Sequence, residues 1–454
     1  MIPAEWKSGD AAVIGLGRSG IGAALLLARE GVRVYASDGG SDPTGVAGAA
    51  RLSEAGIDAT AGAHDLERIA RAVVVIVSPG VPPDAPPLTA ARANGVPIVS
   101  EIEVALRALD GMRYIAITGT NGKTTTTALV GHLLRTLGKR VADAGNIGTP
   151  LTEIALRADK PDWVALELSS FQLHDTPSVH PVVGVMTNLS PDHLDRYPSA
   201  NEYYADKALL FRNASDTSTW VLNADDALVT AMAARVAGAH RGFGIASASA
   251  EMTYAEGEIR WNGARILSRA ELPLLGDHNV MNAMAASLAV IAADPAHATR
   301  GALARVADGL RSFRAPPHRL ETVGERAGVL WINDSKATNI SSTQVAIDGM
   351  TRPTVLLLGG RHKGEPYTGL ATGLKRIARV VLAYGEAAPI IEEDLAGVVP
   401  VEQLGNDFAA VIARARAVAR PGDVVLLSPA CSSYDMFRNY EERGAAFRRL
   451  AGAA

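Results

Sequence analysis

The stretch that decides the fold is residues 117–130, ITGTNGKTTTTALV, which continues a short apolar run and leads into helix-forming residues. A strand, a glycine loop ending in Lys-Thr, and a helix together are typical of a phosphate-binding loop. The general pattern has glycine five positions before the second glycine, but Ile117 stands there and the first glycine is Gly119. We predict a shortened loop whose backbone N–H groups, from Gly119 to Lys123, surround an anion. The alternative is a glycine turn with a solvated lysine.

The chain around this loop has the length and composition of a multidomain enzyme. Its 454 residues exceed what one core usually supports, so about three domains are expected. A net charge of -4 with scattered Lys and Arg argues against a nucleic-acid partner. Cys431 stands alone, which excludes an internal disulfide framework, and no apolar run reaches the roughly 18 residues of a membrane span. We expect a monomeric cytoplasmic protein that binds neither nucleic acid nor membrane.

Short apolar runs alternate with helix-period stretches along most of the chain, which predicts parallel sheets covered by helices. The expected fold class is α/β with three domains. These are a Rossmann-like N-terminal domain (1–108), a central P-loop ATPase-like domain (109–315) and a Rossmann-like C-terminal domain (316–454). The second boundary is placed at the irregular stretch RAPPHR.

Polar residues follow two further predicted strands of the central domain. Glu167, in VALELSSFQ, is placed to hold magnesium beside the phosphates, although a glutamate at a strand end can equally cap the next turn. His193, with Asp192 and Asp195, lies in SPDHLDRY after the next strand. A histidine in a loop is usually a surface side chain, but this edge of a parallel sheet is where ligands bind.

Lys207 lies in NEYYADKALLF, where helical spacing puts it on one stripe with Tyr203 and Phe211. The ordinary interpretation is a lysine that extends past aromatic neighbours to water. If the amine is instead buried near Glu167 and His193, desolvation favours its neutral, nucleophilic form. Carbamylation by carbon dioxide would then make it an anionic metal ligand.

Asn279 and Asn282 lie three residues apart at the start of a predicted helix, in DHNVMNAMAA. Their amides suit a base edge, but asparagines at helix starts are commonly caps, and the residues alone favour caps.

A second nucleotide fingerprint, Gly15-Leu-Gly17-Arg-Ser-Gly20, follows the first strand, and Asp38 ends the next. This is the dinucleotide-binding arrangement, which alone would indicate a nicotinamide-dependent dehydrogenase. That interpretation leaves Lys123, Glu167 and Lys207 unexplained, and a nonenzymatic nucleotide switch would need no third domain. Two phosphate loops in separate domains favour two different nucleotides, one consumed and one carried on the substrate.

Several motifs, in chain order, resemble those of the Mur ligases of peptidoglycan synthesis. They are TGTNGKTT, LELSSFQL, the DH of SPDHLDRY, HNVMNA, PHRLE, NDSKATN and LLSPACSSYDMF. The match covers essentially the whole chain, and the last two C-terminal motifs are those of the glutamate-adding member. They weigh against another Mur ligase and against folylpolyglutamate synthetase. The shortened loop is then a family trait.

The resemblance implies roles for particular residues. The ATP-binding set would be Gly119, Thr120, Asn121, Gly122, Lys123, Thr124, Thr125, Asn279, Asn282, Arg319 and Asp334. The set around the UDP-sugar and the incoming glutamate would be Gly17, Ser19, Asp38, Ser78, Asn146, Ser169, Lys336, Thr338, Lys363, Ser433 and Tyr440. Two magnesium ions would be held by Thr124 and Glu167, and by His193 and carbamylated Lys207. Catalytic roles would fall to Lys123, His193, Lys207 and Lys336.

The implied chemistry is ATP-dependent amide formation through an acyl phosphate on the substrate's carboxylate. Two departures from relatives stand out. Gly39 and Gly40 follow Asp38 where a threonine and an arginine are often found, so the contacts to the uridine end are the least secure. His362 precedes Lys363 where an acidic residue is common, which bears on the conformation of that loop.

Overall fold

Three β-sheets follow one another along the chain in the structure, a computed structural model that describes residues 1–41, 43–193, 196–247, 249–315 and 317–452. Helices connect most of the parallel strands in each sheet. The predicted α/β fold with three sheet-bearing domains is confirmed. Within the described ranges, no helix is both long and apolar enough to cross a membrane.

The strands are β1 (Asp10–Ile14), β2 (Arg33–Asp38), β3 (Asp58–Ala61), β4 (Val74–Val77), β5 (Ile98–Ser100), β6 (Arg113–Thr118), β7 (Val141–Gly145), β8 (Trp163–Glu167), β9 (Val183–Met186), β10 (Thr219–Asn223), β11 (Ala239–Gly244), β12 (Met252–Ala255), β13 (Glu258–Trp261), β14 (Ala264–Ser268), β15 (Glu321–Arg326), β16 (Val329–Asn333), β17 (Thr354–Gly359), β18 (Ala378–Tyr384), β19 (Val401–Gln403) and β20 (Val424–Leu427).

The α-helices are α1 (Arg18–Arg29), α2 (Pro43–Glu54), α3 (Leu66–Ala70), α4 (Pro86–Ala93), α5 (Glu101–Ala108), α6 (Lys123–Thr136), α7 (Leu151–Leu156), α8 (Ser170–His174), α9 (Ala200–Ala208), α10 (Ala227–Ala233), α11 (Asp277–Ala293), α12 (Arg300–Ser312), α13 (Ile340–Asp348), α14 (Ala371–Ile377), α15 (Ala388–Asp394), α16 (Phe408–Val418) and α17 (Tyr440–Gly452). Short 3-10 helices span Ala4–Lys7, Leu209–Phe211, Arg269–Glu271, Pro295–Ala298 and Tyr367–Leu370.

The first sheet has the order β3-β2-β1-β4-β5, and all its strands are parallel. The chain goes from β1 outward to β3 and then returns to β4 on the other side of β1. In such sheets the crevice beyond the carboxyl ends of the strands, where the order reverses, is the ligand-binding place. The loops after β1, β2 and β4 meet at that edge.

The second sheet has nine strands in the order β14-β13-β12-β11-β10-β9-β6-β8-β7. Strand β6 lies between β9 and β8 and is parallel to both, so that Ile117 pairs with Glu167 of β8 and Val185 of β9. The residues that follow these three strands therefore lie at one edge. Strands β12 and β13 form an antiparallel hairpin near the other end of this sheet.

Two compact units comprise the described residues. The first holds residues 1–189, 201–267 and 283–310, and the second holds residues 190–200, 268–282 and 311–452. Within the first unit, the first two sheets share one hydrophobic core. Helices α1, α5 and α7 pack together in it, and α5 ends at Ala108, where the first predicted boundary falls. The domain boundaries remain predictions.

The third sheet, in the second unit, has the order β15-β16-β20-β17-β18-β19 and is parallel except for the β15–β16 pair. Its four central strands, β16, β20, β17 and β18, are apolar runs. Hydrophobic clusters cover both faces, as expected of a parallel sheet. Residue 316, where the third predicted domain begins, lies outside the described residues.

Candidate functional site

The loop after β6 explains why its first glycine comes late. Ile117 is a buried strand residue whose carbonyl accepts a hydrogen bond from the Leu168 N–H. The chain turns only at Gly119, which has a φ of 140°, and a Cβ there would lie 2.0 Å from the Thr187 hydroxyl oxygen. The loop ends at Gly122, and α6 begins at Lys123. Glycine is therefore required where the loop presses against the end of β9, and a side chain is tolerated at 117.

Two lysine amines converge on this loop. Lys123 Nζ donates to the carbonyl oxygens of Gly119 (2.9 Å) and Thr120 (2.7 Å). Lys207 Nζ donates to the same Gly119 oxygen at 2.8 Å and lies 4.5 Å from the ring centroid of Tyr203. Lys207 is only 1% exposed, so the interpretation as a lysine that reaches water is wrong. Both amines therefore fix the Gly119 carbonyl, and the Lys123 ammonium adds positive charge where an anion would bind.

Glu167 ends β8 beside this loop and is buried. Its Oε2 accepts a hydrogen bond from the Thr124 hydroxyl at 2.7 Å, and its Oε1 accepts one from the Asn146 amide at 2.8 Å. The hydroxyl and carboxylate oxygens are ligands that Mg²⁺ prefers, usually completed by water and substrate phosphates. Across the described ranges, no group of three or more His, Cys, Asp and Glu side chains forms a metal site by itself. A magnesium ion shared with phosphates fits Thr124 and Glu167.

The glycine loop after β1 borders a cavity of about 610 Å³. All four residues predicted there for the nucleotide line it: Gly17, Ser19, Asp38 and Ser78. The Asp38 carboxylate accepts hydrogen bonds from the N–H groups of Leu16 and Gly40, each at 2.8 Å. Asp38 thus also fixes the shape of the loop.

Asn146, predicted to contact the UDP-sugar, and Ser169, predicted to bind substrate, have structural roles here. Ser169 forms a capping box with Gln172 at the start of α8. Asn146 lies beside Glu167, as described above, so the structure groups it with the predicted metal ligand. Neither contact prevents a substrate from approaching the exposed part of these side chains.

The second unit brings together residues predicted to bind glutamate. Lys336 Nζ lies 3.8 Å from the ring centroid of Tyr440, and the Ser335 hydroxyl donates to the Tyr440 carbonyl at 2.8 Å. Ser433 is buried, whereas Thr338 is half-buried and Lys363 is exposed. The arrangement offers cations at the carboxyl edge of the third sheet, where an anionic substrate would bind.

Arg443 was missed by the sequence analysis. It is fully buried and donates to the carbonyl oxygens of Ser335 (2.9 Å), Cys431 (3.1 Å) and Ser432 (3.3 Å), and also to the Ser335 hydroxyl. It therefore ties the loop after β16 to the loop after β20. These are the loops that carry Lys336 and Ser433.

Part of the predicted adenosine site is also in the second unit. Asn279 and Arg319 line one cavity of about 230 Å³. The Asn279 amide donates to the Leu275 carbonyl, and its side-chain oxygen accepts from Asn282. Among the described residues, no backbone N–H donates to this side chain, so Asn279 does not act as a helix cap. Asp334 follows β16, and burial raises its pKa to about 7.

The loop of His193 has a strained backbone, since this histidine has a φ of 55°. The Asp192 carboxylate accepts hydrogen bonds from the His193 N–H (2.9 Å) and the Asn339 amide (3.1 Å). Asp192 thereby links the histidine to the NDSKATN motif. Asp195 lies outside the described residues.

Comparison with protein families finds three models in chain order. Residues 9–100 match the Mur ligase MurD-like N-terminal domain, residues 117–290 the Mur ligase middle domain, and residues 318–431 the Mur ligase glutamate ligase domain. The chain is 41% identical to the UDP-N-acetylmuramoylalanine–D-glutamate ligase of Anaeromyxobacter dehalogenans, with 99% of both chains covered. It is 40% identical to the enzyme of the same name from Salinibacter ruber, with the same coverage.

Solved structures agree in fold. UDP-N-acetylmuramate-alanine ligase MurC of Thermotoga maritima superposes with a TM-score of 0.61 at 22% identity, covering 98% of this chain and all of the other. MurF ligase of the same organism, in complex with ADP, gives 0.61 at 19% identity, covering 84% and 90%. With the three family models and the near full-length relatives, these likenesses show that the chain belongs to the Mur ligase family.

Proposed function

We propose that this protein is an ATP-dependent amide ligase that joins D-glutamate to UDP-N-acetylmuramoyl-L-alanine in peptidoglycan precursor synthesis. It would release ADP and phosphate. The relatives that support this substrate pair match almost the whole chain at about 40% identity. The observation that carries the ATP-dependent step is the convergence of Lys123 and Lys207 on the Gly119 carbonyl, next to the Glu167 carboxylate.

The chemistry requires such a charged loop. A carboxylate is a poor electrophile, so the terminal alanine carboxylate takes the γ-phosphoryl group of ATP and becomes an acyl phosphate. The glutamate amine attacks its carbonyl carbon, phosphate leaves with the bridging oxygen, and an amide remains. Catalysis of phosphoryl transfer depends mainly on position and charge, which Lys123 and the loop N–H groups provide.

The proposed binding sets are those of the sequence analysis. ATP is held by Gly119 to Thr125, with Asn279, Asn282, Arg319 and Asp334. Glutamate is held by Lys336, Thr338, Lys363, Ser433 and Tyr440. The UDP-sugar is held by Gly17, Ser19, Asp38 and Ser78 of the first cavity and by Asn146, and Ser169 also contacts substrate. The three domains are proposed to be 1–108, 109–315 and 316–454. Since ATP and UDP-linked precursors are cytoplasmic metabolites, the proposed location is the cytoplasm; sedimentation would check the monomeric state.

Two magnesium sites belong to this proposal, one on Thr124 and Glu167 and one on His193 and carbamylated Lys207. Magnesium would offset charge on the ATP phosphates. A carbamate retains one N–H, so Lys207 would keep its hydrogen bond to Gly119 while its two new oxygens become ligands.

Phosphate release from ATP tests the proposed reaction. We expect release only when UDP-N-acetylmuramoyl-L-alanine and D-glutamate are both present. Release that is independent of either substrate would contradict the proposal. Oxidation of NADH, detected as a fall in its ultraviolet absorbance, would contradict it as well. L-glutamate in place of D-glutamate tests the stereochemistry, and we expect no product.

Replacement of Lys207 by alanine tests the carbamate. Activity should fall at least a hundredfold and recover in part with short carboxylic acids, which can occupy the place of the carbamate oxygens. Lys160→Ala, at an exposed lysine outside the binding sets, is the control. Full activity of the Lys207 variant would exclude the carbamate as a required ligand.

A further inference from the structure

A titratable side chain of the first cavity, that of His64, belongs to none of the sequence motifs. His64 lies in the loop between β3 and α3 and lines the cavity together with Asp38, Gly39 and Gly40. Gly39 and Gly40 bring no side chain to the cavity, and His64 is the nearest side chain that can take the place of one at Gly39.

The position of the ring supports this replacement. His64 Nδ1 lies 2.9 Å from the hydroxyl oxygen of Ser37. Ser37 is fully buried, so this contact orients the imidazole ring. A Cβ at Gly39 would lie 3.0 Å from His64 Nε2, so the imidazole and a side chain at 39 would compete for the same space. In the part of the chain that the structure describes, Nε2 has no recorded hydrogen bond.

Burial lowers the pKa of His64, although the nearby Asp38 charge opposes this, and the neutral ring is favoured. A neutral imidazole carries one proton, so its two nitrogens have different roles. If the Ser37 hydroxyl donates to Nδ1, the proton is on Nε2. His64 then offers one directed N–H donor to the cavity.

The order of the strands indicates which part of a nucleotide His64 would meet. A diphosphate binds at the glycine loop and the N-terminus of α1, and the acid after β2 meets the ribose in this type of sheet. Because β3 lies beyond β2, the loop after β3 comes next along the nucleotide. His64 is therefore expected at the base.

We propose that His64 Nε2 donates a hydrogen bond to the O4 carbonyl of uracil and thereby selects uridine nucleotides, in the space that Gly39 leaves open. This rests on the proposed function, in which the first cavity binds a UDP-linked substrate. Uracil presents a carbonyl acceptor at this edge, whereas cytosine presents an amino donor, as the two base edges differ in nucleic acids. A donor at Nε2 would be satisfied by uracil and left facing another donor with cytosine.

Calorimetric titration of the full-length protein with UDP and with CDP tests this proposal. We expect the wild type to bind UDP at least tenfold more tightly than CDP. His64→Ala should weaken UDP binding ~5-fold, as for loss of one hydrogen bond, and leave CDP binding unchanged or slightly tighter, so that a tenfold preference falls to about twofold or less. His64→Gln, which keeps an amide donor, should retain part of it. His240→Ala, at an exposed histidine of the second sheet, is the control.

A steric pair of variants provides an independent measurement. Gly39→Thr should weaken UDP binding because the new side chain displaces the ring, and combining it with His64→Ala should remove that clash. An unchanged ratio of UDP to CDP affinity in His64→Ala would overturn the proposal, even if both affinities fell. If the wild type bound no UDP and formed no ligation product, the proposed function would fail as well. Ligation with an unchanged base preference would overturn only the role of His64.

Discussion

The two glycine loops of the first unit share one arrangement and differ in charge. Each follows a parallel strand, precedes a helix and has a carboxylate after a neighbouring strand. Around the first loop, Asp38 accepts two backbone N–H groups and the loop borders an open cavity. Around the second, two lysines meet one carbonyl oxygen, and Glu167 accepts from two side chains.

This difference separates binding from reaction. A loop that only holds a diphosphate needs backbone N–H groups and space, which the first loop has. A loop that transfers a phosphoryl group must also stabilise charge that develops in the transition state, which requires fixed cations and a place for magnesium. In the proposed function, the same fold element therefore holds a substrate at the first loop and carries out the reaction at the second.

The largest expected effect comes from removing a cation at each loop. Lys123→Met should lower kcat ~10⁴-fold, because its charge acts on the transferring phosphoryl group. Arg18→Met should change kcat less than about threefold, since Arg18 is an exposed residue paired with Glu153 at 3.0 Å. Steady-state phosphate release measures both. Equal losses would remove the distinction between the loops.

The two carboxylates give the next largest contrast. Glu167→Gln should lower kcat ~10³-fold and raise the half-saturating magnesium concentration about tenfold, because a neutral amide binds Mg²⁺ poorly. Asp38→Asn should raise the KM for the UDP-sugar and leave the magnesium dependence unchanged. Magnesium titration of phosphate release distinguishes them, and chelation should stop both variants. A magnesium dependence that shifts only in Asp38→Asn would reverse our assignment.

The glycines test the backbone of the two loops. Gly119→Ala should lower the free energy of unfolding by about 3 to 4 kcal/mol, because its Cβ would overlap the Thr187 hydroxyl at a positive φ. Gly17→Ala should cost less than about 0.5 kcal/mol, since a Cβ there meets nothing within 4 Å. Urea unfolding measures both values. A tolerated alanine at 119 would mean that the late glycine has another cause.

The smallest expected effect concerns the hydrophobic core that the sheets of the two loops share. Glu101 begins α5 in the core shared by the two sheets, and burial raises its pKa to about 7. Its Oε1 accepts from the Gln172 amide at 3.1 Å, while Oε2 has no partner among the described residues. As pH rises from about 4.5 to 7, the unfolded chain loses this proton first, so the folded state loses stability.

Glu101→Gln cannot lose that proton, so its stability should not fall over this range through this group. At about pH 8 it should exceed the wild type by about 2 to 3 kcal/mol in free energy of unfolding, and near pH 4.5 the two should be similar. Unfolding followed at several pH values checks this. Parallel pH profiles would show that Glu101 does not titrate as its burial indicates.

Local patterns predicted the parts of the molecule that depend on neighbours in sequence. The strand, glycine loop and helix around Gly119 are contiguous, and the four apolar runs of the third sheet are bounded by turns. Strand β7, VADAG, has a polar residue at its centre and too little apolar character to be recognised. The burial of Lys207 could not be decided either, because one helix stripe does not say what packs against it.

His64 and Arg443 were beyond sequence reasoning for the same reason. His64 lies in AGAHDLE, which has no motif, and reaches the cavity only because β3 pairs with β2. Arg443, in EERGAAF, looks like a surface residue of a charged helix. It is buried because α17 packs against the loops after β16 and β20, which come from distant parts of the chain.

In the proposed reaction, the second loop transfers a phosphoryl group to a carboxylate whose substrate is bound at the first loop. The most direct test uses UDP-N-acetylmuramoyl-L-alanine with ¹⁸O in both oxygens of its terminal carboxylate, together with ATP and D-glutamate. Mass spectrometry of the released phosphate should find one ¹⁸O atom in each molecule, because the bridging oxygen of the acyl phosphate leaves with the phosphate. Unlabelled phosphate, formed alongside the amide, would contradict the account.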